Sequence, residues 1–578
     1  MVEKKVGQYI WISYDVRESG ELYIKVKGNG QKVYRGEEIS ISPNKELKNQ
    51  DNSHKGKIRI TVIFSDGEMD RRFPLGLEQD KDSNFQGDEK ISLGNVFLHG
   101  TNKENVNVSL ELECNGERNQ WEVCSLSGKY FQKQQEEETF HPVREKFSAI
   151  FAIILLPFLL VEGFLAVKGV GRLRLEGKRA TGKKAIIFHA NNRIQQLTGF
   201  TFSIREHKTR YFARCYKKYA KLPCVPNQIL CLSERKLESG GNLDRVMKEL
   251  EKKPQVTLVK FILEKPVNKL NRKELRKSAK LSAQSEMILL EDFYPQLHAI
   301  SVRKETKVVQ LWHACGAFKT FGFSRLGKVG GPRQDSKNHR NYDYVFVSSE
   351  SMIPFYSEAF AIPESHVKAL GVPRTDLFFE EGIREKKKGE LYQQYLQLKG
   401  KKIVVFAPTF RGDGNKDAYY PREKFKVDDI MEKLPEEYFL VIKNHPFVKT
   451  DFAVSEKYQS RVLQCHKDIQ LNDLLFLTDV LITDYSSSVF EAAILQVPTI
   501  FYVFDRDVYL KERDIYGDFD TFATGSIVTN QEELTEEIIK VVEREQREPL
   551  SEFSKYYLSA IDGHSTERIC DFIVNTHV

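Results

Sequence analysis

The sequence lacks the cysteine patterns of a metal-binding or disulfide-stapled protein. It has 8 cysteines in 578 residues, no two of them at CxxC spacing, and no histidine pair follows them at finger-like spacing. A zinc ribbon and a disulfide ladder are therefore excluded as organising devices. Scattered, unpatterned thiols favour a reduced, cytosolic setting.

The chain also has only a small excess of positive over negative charge. The 88 Lys and Arg residues oppose 81 Asp and Glu, which leaves a net charge of +7 on the whole chain. That excess is too small to indicate a nucleic-acid footprint, so we expect no nucleic-acid partner. The N-terminus has no apolar segment of the kind that a secretory signal needs. With 40% hydrophobic residues, the composition is that of a folded, mostly water-soluble protein.

Long hydrophobic runs are missing as well. One uncharged run covers Phe147–Val161, but Pro157 interrupts it and Glu162 follows it. A membrane span needs about 20 apolar residues, so an interfacial or re-entrant helix is the preferred interpretation. A buried core helix and a true span remain as alternatives.

Two basic stretches follow this run. Beside an apolar anchor, such clusters suit an anionic membrane surface, although a solvated helix face explains each cluster equally well. Their basic residues are Arg205, Lys208, Arg210, Arg214, Lys217, Lys218 and Lys221 in the first stretch and Lys265, Lys269, Arg272, Lys273, Arg276, Lys277 and Lys280 in the second.

The hydrophobic periodicity divides the chain into four parts. Residues 1–132 contain short β-branched runs between turns and predict a small antiparallel module with an accessory role. A linker with the apolar segment covers 133–175. From there strand candidates, beginning with Ala185–Phe188, alternate with helices, which predicts an α/β class of two doubly wound lobes over 176–370 and 371–578. Ligands should then lie beyond the carboxyl ends of the strands.

Polar residues cluster directly after four of the predicted strands. Because the carboxyl ends of parallel strands meet at one edge of a sheet, we expect these loops to converge on the cleft between the lobes. The four loops are Trp312–Lys319, Pro408–Asp413, Lys443–Pro446 and Thr483–Ser488.

The most informative loop carries three successive hydroxyls. Ser486, Ser487 and Ser488 precede the helical sequence that contains Glu491. Hydroxyls at a helix start, together with its unpaired N–H groups, predict a phosphate or pyrophosphate cradle. Arg411 and Lys443 are placed to add charge-assisted bonds to the same anion.

These residues resemble a known family, the CDP-glycerol glycerophosphotransferases of teichoic acid synthesis. The resemblance covers about residues 180 to 570 and is closest to the ribitol-phosphate polymerase branch. The motifs that carry it are Trp312-His313 with Gly316 and Lys319, Gly371–Asp376, Ala407–Arg411, Lys443-x-His445-Pro446, and Thr483–Ser488 with Glu491.

The resemblance implies a GT-B fold and a specific reaction. An alditol phosphate, ribitol or glycerol phosphate, moves from a CDP-alditol to a hydroxyl of an undecaprenyl-linked teichoic acid primer, with release of CMP. The enzyme would act peripherally at the cytoplasmic face of the cell membrane, without a cofactor or bound metal, while dependence on a divalent cation is left open. The donor-binding residues it implies are Arg374, Thr409, Arg411, Lys443, Asp484, Ser486, Ser487, Ser488 and Glu491, and those on the acceptor side are Trp312, Gly316 and Lys319.

Two histidines are the candidate catalytic residues. A neutral imidazole suits the removal of a proton from an acceptor alcohol, and His313 is our candidate for this base. His445 is the candidate donor to charge that develops on the phosphate. Cys315 is a poor candidate nucleophile, since no third group orients it. Asp292 either belongs to the acceptor cleft or merely caps a helix.

Two other interpretations compete with this one. A GT-B glycosyltransferase that uses a nucleotide sugar would share the cradle and Glu491. A membrane scaffold with a degenerate catalytic half would not need the intact set of polar loops.

Overall fold

The computed structural model describes two long parts of the chain and short pieces between them. The first part is residues 2–131, with gaps at 7–9, 18–20, 30–57, 68–69, 76, 80–83, 94–95, 97–102 and 115–116. The second part is residues 203–577, with gaps at 267–268, 326–330, 333–335, 413–416, 466–468 and 544–549. The described residues between them are 152–162, 164, 173–175, 178–180, 186–187, 190, 193–194 and 197.

Alternating apolar residues build two antiparallel sheets in the first part. The strands are β1 Val2–Lys5, β2 Ile10–Val16, β3 Glu21–Asn29, β4 Ile58–Ser65, β5 Asp70–Pro74, β6 Glu78–Gln79, β7 Asn84–Ser92, β8 Asn105–Cys114 and β9 Glu117–Ser127. One sheet has the order β1-β2-β3-β7-β6 and the other β5-β4-β8-β9. Side chains such as Ile12, Val26, Phe64 and Leu110 lie in one shared core. The predicted all-β module is therefore confirmed.

This β module packs against the first lobe through a buried arginine. Arg71 is 1% exposed, and its guanidinium carbon lies 4.8 Å from the centre of the Phe323 ring. Its Nε donates to the carbonyl of Val96 at 3.1 Å, and Arg340 of the lobe donates to the same carbonyl at 2.9 Å. Because Phe323 also belongs to the core of the module, the module and the lobe share a packed boundary.

The described part of the linker is a helix over residues 152–162 with two different faces. Ala152 and Leu159 are buried against Ala190 and Ile194. The opposite face exposes large apolar side chains, among them Phe158 at 70%. In the described residues we find no helix with the length and apolar character that a membrane crossing requires. A short hairpin follows, with strands β10 Leu173–Leu175 and β11 Lys178–Ala180.

The prediction of a strand at Ala185–Phe188 was wrong. Ile186 and Ile187 are helical, and so are Ala190 and Ile194. The physical reason is the spacing of the last two residues, which puts both on one helix face against the 152–162 helix. Tertiary packing thus overrides the β propensity of the isoleucines.

Each lobe is built on a six-stranded parallel sheet. The first lobe contains β12 Val225–Ser233, β13 Thr257–Ile262, β14 Ser285–Leu290, β15 Lys307–Gln310, β16 Tyr344–Phe346 and β17 Val367–Lys368. The second contains β18 Lys402–Phe406, β19 Tyr438–Lys443, β20 Val462–Cys465, β21 Thr478–Thr483, β22 Thr499–Tyr502 and β23 Ser526–Val528. The orders are β13-β12-β14-β15-β16-β17 and β20-β19-β18-β21-β22-β23. Each order reverses beside the first strand of its lobe, which creates a crevice at the carboxyl ends.

Helices cover both faces of these sheets. They are α1 Ile204–Tyr219, α2 Asn242–Leu250, α3 Arg272–Gln284, α4 Ile353–Phe360, α5 Ile383–Gln394, α6 Val427–Lys433, α7 Leu471–Leu475, α8 Val489–Ile494, α9 Arg506–Arg513, α10 Phe519–Phe522, α11 Gln531–Glu543, α12 Ser551–Tyr557 and α13 Ser565–His577. The last helix, α13, packs through Ile569, Cys570 and Ile573 on the core of the first lobe. The two-lobed α/β expectation is confirmed, while the domain boundaries drawn from the sequence stay predictions.

Candidate active site

His313 and Asp292 form a hydrogen-bonded pair at the carboxyl edge of the first sheet. The His313 Nδ1 atom lies 3.1 Å from an oxygen of Asp292, and the imidazole is half exposed. Burial disfavours the charged carboxylate, but the hydrogen bond from His313 and the charge of Arg235 outweigh it, so the pKa of Asp292 lies below its usual value. With Nδ1–H donated to a carboxylate, the neutral ring keeps Nε2 as a proton acceptor.

The backbone that carries His313 is held in an unusual conformation. Trp312 has a φ of 57°, a left-handed value that is strained for a bulky side chain. Its N–H donates to the Gln310 side chain at 2.8 Å, and its ring stacks on His313 with centroids 4.4 Å apart. The predicted acceptor-side residue Trp312 therefore supports the candidate base directly.

Two buried histidines lie behind this loop. The N–H of His339 donates to Nδ1 of His298 at 3.2 Å, and both rings contact Tyr342. Tyr342 in turn accepts a hydrogen bond from the Gln310 amide at 3.2 Å. Burial lowers the pKa of His298 well below its usual value and that of His339 to about 3. This neutral network fixes Gln310, which holds the backbone of Trp312.

The buried histidines predict that the fold is sensitive to acid. An unfolded imidazole titrates near pH 6.5, whereas His339 in the fold has a pKa of about 3. The folded state binds fewer protons, so the stability linked to His339 is fully present above about pH 6.5 and falls by about 1.4 kcal/mol for each pH unit below it. We expect His339→Asn, which suits the positive φ of this position, to flatten the fall of Tm between about pH 7 and about pH 5. His564→Asn, at an exposed histidine, is the control, and an unchanged slope in His339→Asn would refute the assignment.

His445 lies at the carboxyl edge of the second sheet among positive charges. Burial and the nearby charges of Lys319 and Lys443 lower its pKa below the usual value. The N–H of Phe447 donates to Nδ1 of His445 at 3.2 Å, which leaves the proton of the neutral ring on Nε2. Because Lys319 comes from the first lobe, the structure brings residues of both lobes together at His445. A cleft with this charge favours anions.

Arg411 is held between two carboxylates. Its Nη1 donates to Asp484 at 2.8 Å, while Nε and Nη2 donate to Asp505 at 2.6 and 2.9 Å. The same Asp484 accepts from the N–H and the hydroxyl of Thr409, both at 2.8 Å. The hydrogen bonds given above for Arg411, Asp484 and Thr409 thus join these residues to each other and to Asp505. Their donor-binding roles stay predictions, and the geometry favours a structural role for all three.

The serine run lies at the start of α8, as predicted. The hydroxyls of Ser486 and Ser488 are 2.8 Å apart, and Ser486 also accepts from the N–H of Ser488 at 3.2 Å. Ser487 is exposed. Of the three hydroxyls, that of Ser487 is therefore the most accessible to a ligand.

Glu491 on α8 forms a buried ion pair with Arg374 of the segment that joins the lobes. Glu491 is 3% exposed, and Nη2 of Arg374 donates to its Oε1. Both were predicted as donor-binding residues, and the structure brings them into contact. The pair ties the linking segment to the second lobe.

Gly316 and Cys315 lie where the lobes touch. Gly316 has a φ of +67°, and a Cβ there would come within 2.3 Å of the Phe490 ring of α8. The glycine therefore permits a close approach of the lobes, in addition to any acceptor-side role. Cys315 is buried, and burial raises its thiol pKa well above the usual value, which argues against a nucleophile.

Sequence reasoning missed the partners of the candidate residues. It did not decide whether Asp292 belongs to the acceptor cleft or caps a helix. It also did not single out Asp505 or the fully buried Asn242. The only signal available was that Asp292 and Asp505 each follow a predicted strand. Within the described ranges, no cluster of three or more His, Cys, Asp or Glu side chains is suited to a metal ion.

Two Rossmann-like lobes that face a cationic cleft, with a histidine at the edge of each sheet, define a GT-B-like fold. Residues 215–575 match the family described as CDP-Glycerol:Poly(glycerophosphate) glycerophosphotransferase. This match covers more than half of the chain, and the chain belongs to that family. The resemblance stated from the motifs is confirmed.

Curated relatives include ribitol-phosphate polymerases and, at lower identity, glycerol-phosphate primases. The chain is 40% identical over 374 residues to the teichoic acid poly(ribitol-phosphate) polymerase of Bacillus spizizenii, covering 64% of this chain and 60% of the relative. It is 41% identical over 292 residues to the teichoic acid ribitol-phosphate polymerase TarK of Staphylococcus aureus, covering 50% of this chain and 56% of the relative. The chain thus spans little more than half the length of these relatives.

The solved structure of a histidine variant of the wall teichoic acid polymerase TagF shares the architecture. Its TM-score is 0.53 at 17% identity, and the match covers 68% of this chain and 96% of that one. At this identity the likeness shows the fold alone. It agrees with the GT-B expectation.

Proposed function

We propose that this protein transfers an alditol phosphate from a CDP-alditol to a hydroxyl of a lipid-linked teichoic acid, with release of CMP. The observation that carries the proposal is the His313–Asp292 pair on one side of a cationic cleft that has the neutral, proton-donating His445 on the other. Relatives with about two fifths identity are named ribitol-phosphate polymerases, so ribitol phosphate is the first candidate group.

In the proposed reaction His313 acts as the general base. Nε2 takes the proton of the acceptor hydroxyl while the oxygen attacks the β-phosphorus of the donor. The bond from this phosphorus to the oxygen of CMP breaks, and CMP leaves with the bonding electron pair. Asp292 keeps the imidazole in the tautomer that accepts at Nε2 and stabilises the imidazolium that forms.

The second lobe would stabilise the charge on the phosphates. Nε2–H of His445 donates to a phosphoryl oxygen, and Lys319 and Lys443 supply positive charge beside it. The exposed hydroxyl of Ser487 contacts the pyrophosphate, and Glu491, fixed by Arg374, accepts from the ribose hydroxyls.

Product analysis tests the proposal. We expect the protein, given a lipid-linked primer, to release CMP from CDP-ribitol or CDP-glycerol and no UDP from nucleotide sugars. His313→Ala serves as the inactive control. Release of UDP alone would establish the glycosyltransferase interpretation, and no release from any donor would favour a scaffold.

We also propose that the protein binds the cytoplasmic face of the cell membrane peripherally. Helices α1 and α3 pack side by side, and Tyr211 lies 5.9 Å from the guanidinium carbons of both Arg214 and Arg272. Arg214 and Arg272, one from each basic stretch, thus lie beside the same tyrosine. The exposed apolar face of the 152–162 helix would enter the interface, where each basic residue adds about 1 kcal/mol toward anionic lipid.

Vesicle sedimentation measures this contribution. Changing Ile153, Phe158 and Val161 to serine should weaken binding to anionic phosphatidylglycerol vesicles by at least about tenfold, since each buried apolar side chain contributes about 1.5 to 3 kcal/mol. All three are more than half exposed, so the fold should survive. Leu396→Ser, at an exposed leucine of the second lobe, is the matched control. Equal binding of the triple variant and wild type would show that this helix does not touch the membrane.

A further inference from the structure

A fully buried asparagine lies at the junction of the two lobes. Asn242 is 0% exposed and begins α2, directly after Gly240 and Gly241. Gly240 has a φ of +77°, and a Cβ on Gly241 would lie 3.0 Å from the carbonyl oxygen of Glu238. The turn is therefore built for glycine, and it carries Asn242 to the carboxyl edge of the first sheet.

Asn242 makes three hydrogen bonds to three separate segments. Its Nδ2 donates to the carbonyl of Trp312 at 2.7 Å, and its Oδ1 accepts from the N–H of Arg374 at 2.8 Å. Its own N–H donates to Oε1 of Glu291 at 2.9 Å. The backbone N–H, the Nδ2 and the Oδ1 of Asn242 are therefore all hydrogen-bonded.

Each of these segments holds a candidate functional residue. Trp312 precedes His313, and Glu291 precedes Asp292, so Asn242 contacts both strand-end loops that form the pair. Arg374 is the partner of Glu491. One side chain thus joins the loop of the candidate base to the arginine that fixes the candidate ribose ligand.

We propose that Asn242 is a positioning residue that aligns the His313–Asp292 pair with the nucleotide-binding carboxylate Glu491. The inference rests on the proposed function. If the amide is removed, the Trp312 carbonyl and the Arg374 N–H lose their buried partners, and the two halves of the site are no longer held in a fixed relation. A displacement of about 1 Å in a reacting group is enough to cost a large part of the rate.

Two variants distinguish the side-chain hydrogen bond to the Trp312 carbonyl from the one to the Arg374 N–H. Asn242→Asp keeps an oxygen for the Arg374 N–H but places a second oxygen against the Trp312 carbonyl. Asn242→Ala removes both side-chain bonds. Gln228→Ala is the matched control, because Gln228 is a buried amide of the same lobe whose Nε2 donates to Ser285 at 2.8 Å, far from the histidine.

The measurements are CMP release per folded molecule, KM for donor and primer, and binding of CDP by calorimetry. We expect Asn242→Asp to lower kcat by at least about tenfold while CDP affinity stays within about threefold of wild type. We expect Asn242→Ala to lower kcat to a similar extent and to weaken CDP binding as well. Gln228→Ala should reduce Tm without changing kcat or KM.

Several results would overturn the inference. One is that both Asn242 variants keep the kcat and CDP affinity of wild type per folded molecule. Another is that they lower Tm and leave kcat and CDP affinity unchanged, as expected for Gln228→Ala. That result would make Asn242 purely structural. If Asn242→Asp does not fold, Asn242→Ser carries the same test. A wild-type chain that releases no CMP from any CDP-alditol would instead overturn the proposed function, and this inference with it.

Discussion

His313→Ala should lower the rate of CMP release by at least about a hundredfold, the usual cost of removing a general base. The imidazole is half exposed and its Nδ1 is held by Asp292, so the substitution removes an atom that faces the cleft and leaves the core intact. Tm and CDP affinity should therefore stay near those of wild type. Turnover near the wild-type level would remove His313 from the mechanism.

Asp292→Asn provides a sharper version of the same experiment. The amide is nearly the same size as the carboxylate, but it does not favour a proton on Nδ1 and does not stabilise an imidazolium. We expect a loss of at least about a hundredfold in kcat with little change in donor KM. His564→Ala, which removes an exposed histidine that pairs with Glu567, should leave the rate unchanged.

The sequence identifies which residues reach the edges of the sheets but not which residues meet there. Leu290 of β14 pairs with Gln310 of β15, so the residues just beyond, Asp292 and His313, leave the sheet side by side. That neighbourhood depends on the strand order, which periodicity does not encode. The same limit explains why Asp505 was not foreseen as a partner of Arg411.

The packing of the β module on the first lobe could not be predicted from the sequence for a similar reason. The alternation of apolar residues predicts its sheets, because one face of each must be buried. The contact of Arg71 with Phe323 joins residues about 250 positions apart in the chain and leaves no periodic signal. Phe323 lies a few residues beyond Lys319, so the module packs on the continuation of the loop that carries His313.

The position of Arg411 after a strand predicts an anion ligand, whereas its surroundings in the structure favour a structural role. Arg411 is 8% exposed and is surrounded by four aromatic rings, with the Tyr509 centroid 4.9 Å from its guanidinium carbon. Burial disfavours its charge, but Asp484 and Asp505 outweigh this effect and raise its pKa above the usual value. Its hydrogen bonds are internal, so its removal should act on stability first.

Arg411→Met should accordingly lower the free energy of unfolding of the second lobe by about 3 to 5 kcal/mol. The substitution keeps much of the volume but leaves the buried Asp484 and the partly buried Asp505 without their positive partner. Urea unfolding, followed by far-UV circular dichroism, measures the loss, because all three tryptophans, Trp11, Trp121 and Trp312, lie outside the second lobe. Adding Asp484→Asn and Asp505→Asn to the same chain should recover a large part of it, since the uncompensated charges are then gone. Arg411→Met with unchanged stability and a weakened affinity for CDP would instead establish Arg411 as a ligand of the donor phosphates, the role that its position after β18 first indicated.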